Sequence, residues 1–268
     1  MKKLEHLSEI YTSYDTYVID LWGVIHNGVK LNINALEAVK ELEKAAKKIV
    51  FLSNAPRPSN KVKEFLKQMK MEEKYLSNIV TSGEAAMHAI NQNKFGKFFF
   101  HLGPPRDDSI FSKVKENKTE LEKSDFILCT GLFEDHEDDL DYYKEFLKNQ
   151  TSKKMICTNP DLIVHRGNKE EYCAGLVAKT FESIGGQVIY FGKPHAEIYK
   201  MCFGKKEKVL AIGDNLRTDI KGANNLNIDS IFIYSGIHRN EFKNEDDLND
   251  LLKRYKVKTN YFQSMLTW

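Results

Sequence analysis

The sequence contains no CxxC pair, and its four cysteines, Cys129, Cys157, Cys173 and Cys202, are scattered through a chain of 268 residues. That argues against a disulfide framework or a thiolate zinc site, and buried reduced thiols are expected. No stretch approaches the ~20 consecutive apolar residues of a membrane span, so no membrane partner is expected. Residues 1–11 carry lysines but no apolar signal-type core, which makes the cytoplasm the expected location. Neither sign of charge dominates, since 40 basic residues against 38 acidic ones leave a net charge of +2. No global field therefore selects nucleic acid or an anionic surface, and the dispersed lysines read as solvated faces. Repeats, low-complexity tracts and long linkers are all missing. Gly192-Lys193 fails the spacing of a nucleotide phosphate loop, and Pro194 follows the lysine. The acidic run 134–139 lacks the glycine of an EF-hand and the two histidines of a zincin. It reads as the acidic first turn of a helix beginning at Leu140.

What is present is an alternation of strand and helix patterns over a chain that is 41% hydrophobic and 29% charged. This is the pattern of an α/β fold with a mainly parallel sheet. Apolar runs predict strands ending at Asp20 and near residues 48–52, 79–83, 188–191, 209–212 and 230–234. Further strands are expected in a middle section at 97–101, 126–129 and 155–157. Helical spacing predicts a helix capped by Asn32 or Asn34 and running to about Lys48, with Leu36, Val39, Leu42 and Ala46 on one face. After Pro56 and Pro58, Val62, Phe65, Leu66 and Met69 predict a second helix. A helix over about 170–184 is expected to stop at Gly185-Gly186, and His195 to precede a short helix ending near Met201. The middle section reads as a unit inserted between two halves of one sheet.

Four apolar runs end in residues capable of chemistry: Asp20, Ser53-Asn54, Lys193 and Asp214, the last followed by Asp219. Adjacent parallel strands bring such residues together at the carboxyl edge of a sheet. Asp20 and Asp214 are oxygen donors suited to a hard cation such as Mg²⁺. Ser53, Asn54 and Lys193 supply donors and positive charge matched to phosphate. An isolated strand-ending Asp more often caps a turn; four such edges in one chain outweigh that reading.

With these motifs in place, the chain resembles the haloacid dehalogenase superfamily, in its class IIA phosphatase-like branch. Asp20 matches the nucleophile of motif one, Ser53 the hydroxyl of motif two, Lys193 the lysine of motif three, and Gly213-Asp214 with Asp219 the fourth motif. Thr158-Asn159-Pro160-Asp161 is similar to the segment of that branch's cap that faces the site. The resemblance spans about 17–235 and implies a Rossmann-like parallel-sheet core, residues 1–80 and 189–268, with an inserted smaller α/β cap, residues 81–188. It implies attack by Asp20 on a phosphoryl group, giving an aspartyl-phosphate that water hydrolyses. Mg²⁺ would be held by Asp20, Asp214 and the backbone carbonyl of Trp22, with Lys193 and Asp219 as further catalytic groups. Ser53, Asn54, Lys193, Asn159 and Asp161 would bind the phosphate or substrate. A phosphorylated small molecule is the implied substrate, and the branch allows a homodimer.

One position departs from the branch. Its phosphatases have a second Asp two residues after the nucleophile as general acid and base, where this chain has Trp22. An indole offers only an N–H donor and cannot shuttle a proton. Loss of such a group costs on the order of 10²–10⁴-fold, so slowed or substrate-restricted turnover is expected, with esters of good leaving groups suffering least. His26, on the same loop, is a candidate replacement base; the competing reading is a histidine that only hydrogen-bonds its loop. His165-Arg166 in the cap is a candidate for facing substrate, with a plain surface turn as the competing reading. An alternative function of another class is a phosphoryl-binding or regulatory protein with little turnover, which Trp22 would favour. Carbon–halogen cleavage also uses an Asp nucleophile, but the Asp214 and Asp219 pair suits a metal that such chemistry does not need.

Overall fold

A computed structural model describes residues 1–268, the Glu245 side chain apart. Thirteen strands, numbered in chain order, fall into three sheets. β1 (Lys2–Lys3), β2 (Thr16–Ile19), β3 (Lys48–Ser53), β4 (Ile79–Thr81), β11 (Val209–Gly213), β12 (Asp229–Ile233) and β13 (Tyr261–Gln263) form a seven-stranded sheet in the order β1-β13-β12-β11-β2-β3-β4. Every pairing in it is parallel. β2 sits at the switch point: the chain first builds outward on one side through β3 and β4, then returns to build outward on the other through β11 and β12. All four residues of β2 are buried, as a strand covered on both faces requires. An open α/β sheet leaves its crevice at the carboxyl end of such a strand, and Asp20 is the next residue.

A second sheet is formed by β5 (Phe99–Leu102), β6 (Phe126–Cys129), β7 (Lys154–Cys157) and β10 (Gln187–Tyr190), all parallel in the order β10-β7-β6-β5. The sequence reading divides core from cap between 188 and 189, within β10; the whole of that strand pairs with β7 in the smaller sheet. The third sheet is an antiparallel hairpin of β8 (Ile163–Arg166) and β9 (Lys169–Tyr172).

The helices are α1 (Ile33–Lys44), α2 (Ser59–Gln68), α3 (Ser82–Ile90), α4 (Leu140–Leu147), α5 (Ala174–Ser183), α6 (Ala196–Tyr199), α7 (Lys221–Leu226) and α8 (Glu245–Tyr255). α1 is capped by the Asn32 side chain and buries Ala35, Ala38, Val39 and Leu42. It ends at Lys44, short of the predicted Lys48, because Ala46 turns to positive φ and Lys48 begins β3. The expected helix over 170–184 is also corrected: residues 169–172 are the second strand of the hairpin, and α5 starts at Ala174. The two-residue Gly167-Asn168 link, with Gly167 at positive φ, is the local signal for a hairpin. Asp139 caps α4 by accepting from the Tyr142 amide, in keeping with an acidic first turn. All four cysteines are buried and free. Among the described residues no helix is long and apolar enough to cross a membrane.

The large sheet packs its own core around Tyr17, Ile19, Val39, Phe51 and Ile212. The smaller sheet has separate cores around Leu102, Ile127, Met155 and Phe181 on one face and Phe99, Phe111 and Phe126 on the other. The tail docks on the large unit, where Trp268 meets Tyr11 with ring centroids 4.9 Å apart.

Candidate active site

The carboxyl edges of β2, β3 and β11 converge. Asp20 is anchored by its amide, which donates to the Ile212 carbonyl of β11 at 2.8 Å. Lys193 reaches in from the segment after β10, and its ammonium donates to Asp20 Oδ1 at 2.5 Å and to Asp219 Oδ1 at 2.7 Å. Asn54, one residue past β3, holds the Lys193 backbone at two points: its Oδ1 accepts from the Lys193 amide at 2.8 Å and its Nδ2 donates to the Lys193 carbonyl at 3.2 Å. Ser53 Oγ accepts from the Ala55 amide at 3.2 Å, shaping the turn after the strand.

Asp214 and Asp219 follow β11. Asp214 Oδ2 accepts from the Ile237 amide at 2.7 Å, while Asp219 Oδ2 accepts from the Asn215 amide at 3.1 Å. Two glycines admit the Asp214 carboxylate. A β-carbon on Gly23, which has φ +91°, or on Gly236 would collide with it. Only a residue without a side chain fits at either place.

Asp20, Asp214 and Asp219 are buried, and each offers an oxygen within 4.8 Å of the others. Three carboxylates thus share one ammonium. Burial, against the pull of Lys193 and with Asp219 and Asp214 adding repulsion, raises the Asp20 carboxyl well above its ordinary range. Burial and Asp219 push Asp214 up to about 8. Burial alone would lower the Lys193 ammonium, but Asp20 and Asp219 outweigh it and hold the group well above its ordinary value. The excess negative charge and the all-oxygen donor set fit a hard divalent cation.

Trp22, His26, Asn159, Asp161, His165 and Arg166, also singled out in the sequence, line one cavity of about 260 Å³ around this cluster. Asp161, half-buried between cap and core, accepts from Asn215 Nδ2 at 3.2 Å. Loss of hydration pushes it up to about 6, despite the pull of Lys193. Asn159 builds the loop: its Oδ1 accepts from the Asp161 amide at 3.1 Å. Trp22 leaves the cluster and reaches the cap hairpin, where its indole N–H donates to the His165 carbonyl at 3.0 Å. The Arg166 guanidinium lies 5.0 Å from the centre of the indole. His26 is buried edge-on to Trp22 and Phe65, and its Nδ1 accepts from the Gly28 amide at 3.0 Å. Burial, with Arg166 nearby, pushes it down to about 4. That arrangement suits packing the loop and leaves a weak base. His195 makes no cap with its side chain and stacks on Tyr190 instead.

Sequence reasoning missed the hairpin as the site's roof, and missed Ile237 and Arg239 in its wall. The rule applied to the other strands would have reached them, because residues 235–239 directly follow the carboxyl end of β12.

A family profile described as haloacid dehalogenase-like hydrolase matches residues 17–115, and a second, described as HAD-hydrolase-like, matches residues 190–255. The chain belongs to the haloacid dehalogenase superfamily. Within that superfamily it falls in the class IIA phosphatase branch. It is 25% identical over 247 residues to the 5'-nucleotidase YutF of Bacillus subtilis, covering 87% of this chain and 92% of that one. The crystal structure of a haloacid dehalogenase-like hydrolase from Brucella suis superposes with a TM-score of 0.88 at 28% identity, covering 98% of this chain and 100% of that one. The fold is shared with the 4-nitrophenylphosphatase of Thermotoga maritima, with a TM-score of 0.70 at 24% identity over 96% of each chain.

Proposed function

We propose that this haloacid dehalogenase-type phosphatase hydrolyses phosphate monoesters of small molecules with the help of Mg²⁺, and that Asp20 is its nucleophile. The observation that carries the reading is the cluster of Asp20, Asp214 and Asp219 joined by Lys193. Asp20, Asp214 and the Trp22 backbone carbonyl would hold the ion, which when bound offsets phosphoryl charge and orients the ester. An Asp20 oxygen attacks phosphorus and the ester P–O bond breaks, leaving an aspartyl-phosphate. Water then attacks that phosphorus, releasing inorganic phosphate and restoring Asp20. Lys193 balances the charge on Asp20 and on the transferring oxygens. Ser53 would donate to a phosphate oxygen, and Asp219 would hold Lys193 in line.

No side chain of residue 22 can protonate the departing alcohol, because the indole N–H is spent on His165. Alkoxide leaving groups must therefore draw their proton from water, and turnover should favour esters of acidic alcohols. The test is p-nitrophenyl phosphate turnover with and without Mg²⁺, beside Asp20→Asn prepared identically. Metal-dependent turnover that vanishes in Asp20→Asn is expected. Equal turnover in both proteins would overturn the assignment of Asp20.

A further inference from the structure

The cavity that holds Asp20 and Lys193 is walled by several other cations, and their charge partners differ. Arg57 pairs with Asp107 at 2.7 Å, Arg166 with Glu171 at 3.1 Å and Lys61 with Glu64 at 2.7 Å. Arg106 and Lys169 likewise have carboxylates within 4.0 Å. Arg239 is the exception. Among the described residues no carboxylate lies within ion-pairing distance of it. Its Nη1 donates instead to His165 Nδ1 at 3.0 Å and to the Gly236 carbonyl at 3.4 Å. Both neighbours are neutral, so a half-buried guanidinium faces the cavity with its charge unmatched. Desolvating a cation without a partner is unfavourable, and the arrangement is explained if the partner arrives with the substrate.

Position supports this. The turn carrying Arg239 is pinned beside the carboxylate cluster, because the Ile237 amide donates to Asp214 Oδ2 and the Arg239 amide to the Gly236 carbonyl. From there the side chain extends towards the cap hairpin. His165 accepts from Arg239 at Nδ1, so its remaining N–H is on Nε2, with Glu170 the nearest carboxylate at 3.6 Å. A phosphoryl group seated at Asp20 and Lys193 would point the rest of the molecule under that hairpin, towards Arg239.

We propose that Arg239, together with the His165 imidazole it holds, binds a second oxyanion on the alcohol portion of the substrate. The preferred substrates are then phosphate esters whose leaving group carries a carboxylate or a second phosphate. Arg239 is a specificity-determining residue, and the proposal rests on the phosphatase reading above. A guanidinium fork matched to an oxyanion is worth a preference on the order of 10–100-fold.

The test uses two pairs that differ in the second anion: 3-phosphoglycerate against glycerol 3-phosphate, and 1,3-propanediol bisphosphate against its monophosphate. Affinities are measured calorimetrically on full-length Asp20→Asn protein with Mg²⁺, and kcat/KM on the protein with Asp20 intact. The charged member of at least one pair should lead by ten-fold or more, and the larger ratio names the anion. In Arg239→Met that ratio should fall towards one, while Arg239→Lys, which keeps charge without the fork, should retain part of it. A ratio that Arg239→Met leaves as it was, or equal losses on both members of a pair, would overturn the proposal. If calorimetry shows the preference but p-nitrophenyl phosphate is not turned over, the hydrolase reading fails and the anion site stands.

Discussion

The Trp22 indole N–H donates to the His165 carbonyl across 3.0 Å and so ties the loop after Asp20 to the hairpin over the cavity. Two backbone contacts extend it: the Gly167 amide donates to the Asn27 carbonyl at 2.9 Å, and Arg166 Nη1 to the Gly28 carbonyl at 3.4 Å. The loop that carries Asp20 is therefore fastened to the hairpin that roofs the cavity.

Trp22→Phe keeps an aromatic ring and deletes the donated N–H. The expected cost is about 1 kcal/mol, felt locally as faster hydrogen exchange at the Gly167 amide, which deuterium-exchange mass spectrometry reads. Exchange unchanged at Gly167 would show that the tie contributes nothing. Trp22→Asp introduces a carboxyl group two residues after the proposed nucleophile. It should raise turnover of alkyl relative to aryl phosphates by on the order of 10²-fold, since only the alkyl leaving group needs a proton.

Without a side-chain base at residue 22, water should attack the aspartyl-phosphate slowly. A short exposure to acetyl phosphate and Mg²⁺ is expected to leave a fraction of the protein heavier by one phosphoryl group in intact mass spectrometry. The addition should be absent from Asp20→Asn. No adduct at any quench time would overturn the expectation that the aspartyl-phosphate accumulates.

Asp214→Asn removes one of three buried carboxylates that share a single ammonium. In metal-free buffer the variant should melt higher than the parent, by about 2–4 °C per kcal/mol of repulsion relieved. Added Mg²⁺ should stabilise the parent and leave the variant almost unmoved. A parent whose melting temperature ignores Mg²⁺ would contradict the metal assignment.

The buried histidines His26 and His101 make a pH-dependent contribution to stability that mild acid removes. Burial pushes both His26 and His101 down to about 4, whereas an unfolded chain protonates histidine near 6.5. Through these two histidines the unfolded state binds more protons between those values, so their contribution to stability falls as the pH drops from about 6.5 towards 4, while the raised carboxyls of Asp20, Asp214 and Asp161 act in the opposite direction. His101→Gln should remove its share, so that the variant gains stability relative to the parent as the pH falls through that interval. Melting temperatures across the interval give the measurement, and a slope identical in the variant would assign the effect elsewhere.

The positions of the strands were legible in part because composition decides them, whereas their order was not. Runs such as Thr16–Ile19 and Val209–Gly213 are apolar along their whole length, as strands covered on both faces must be. The residues that end them are polar because only the sheet edge can host them. For Asp20, Ser53-Asn54, Lys193, Asp214 and Asp219, the sequence alone foretold that the strand ends would bring them together. It misjudged residues 169–172, where the helical pattern read into the charged run is overruled by the turn at Gly167-Asn168 and by pairing with β8. It also treated Trp22 only as a missing acid. What the indole meets, and which guanidinium is left without a carboxylate, depend on residues far away in the chain: 143 positions separate Trp22 from His165, and 74 separate Arg239 from it. Local pattern records which groups a chain owns and which way its elements run. Pairing and neutralisation are set by distances in space, and those exist only once cap and core have closed on each other.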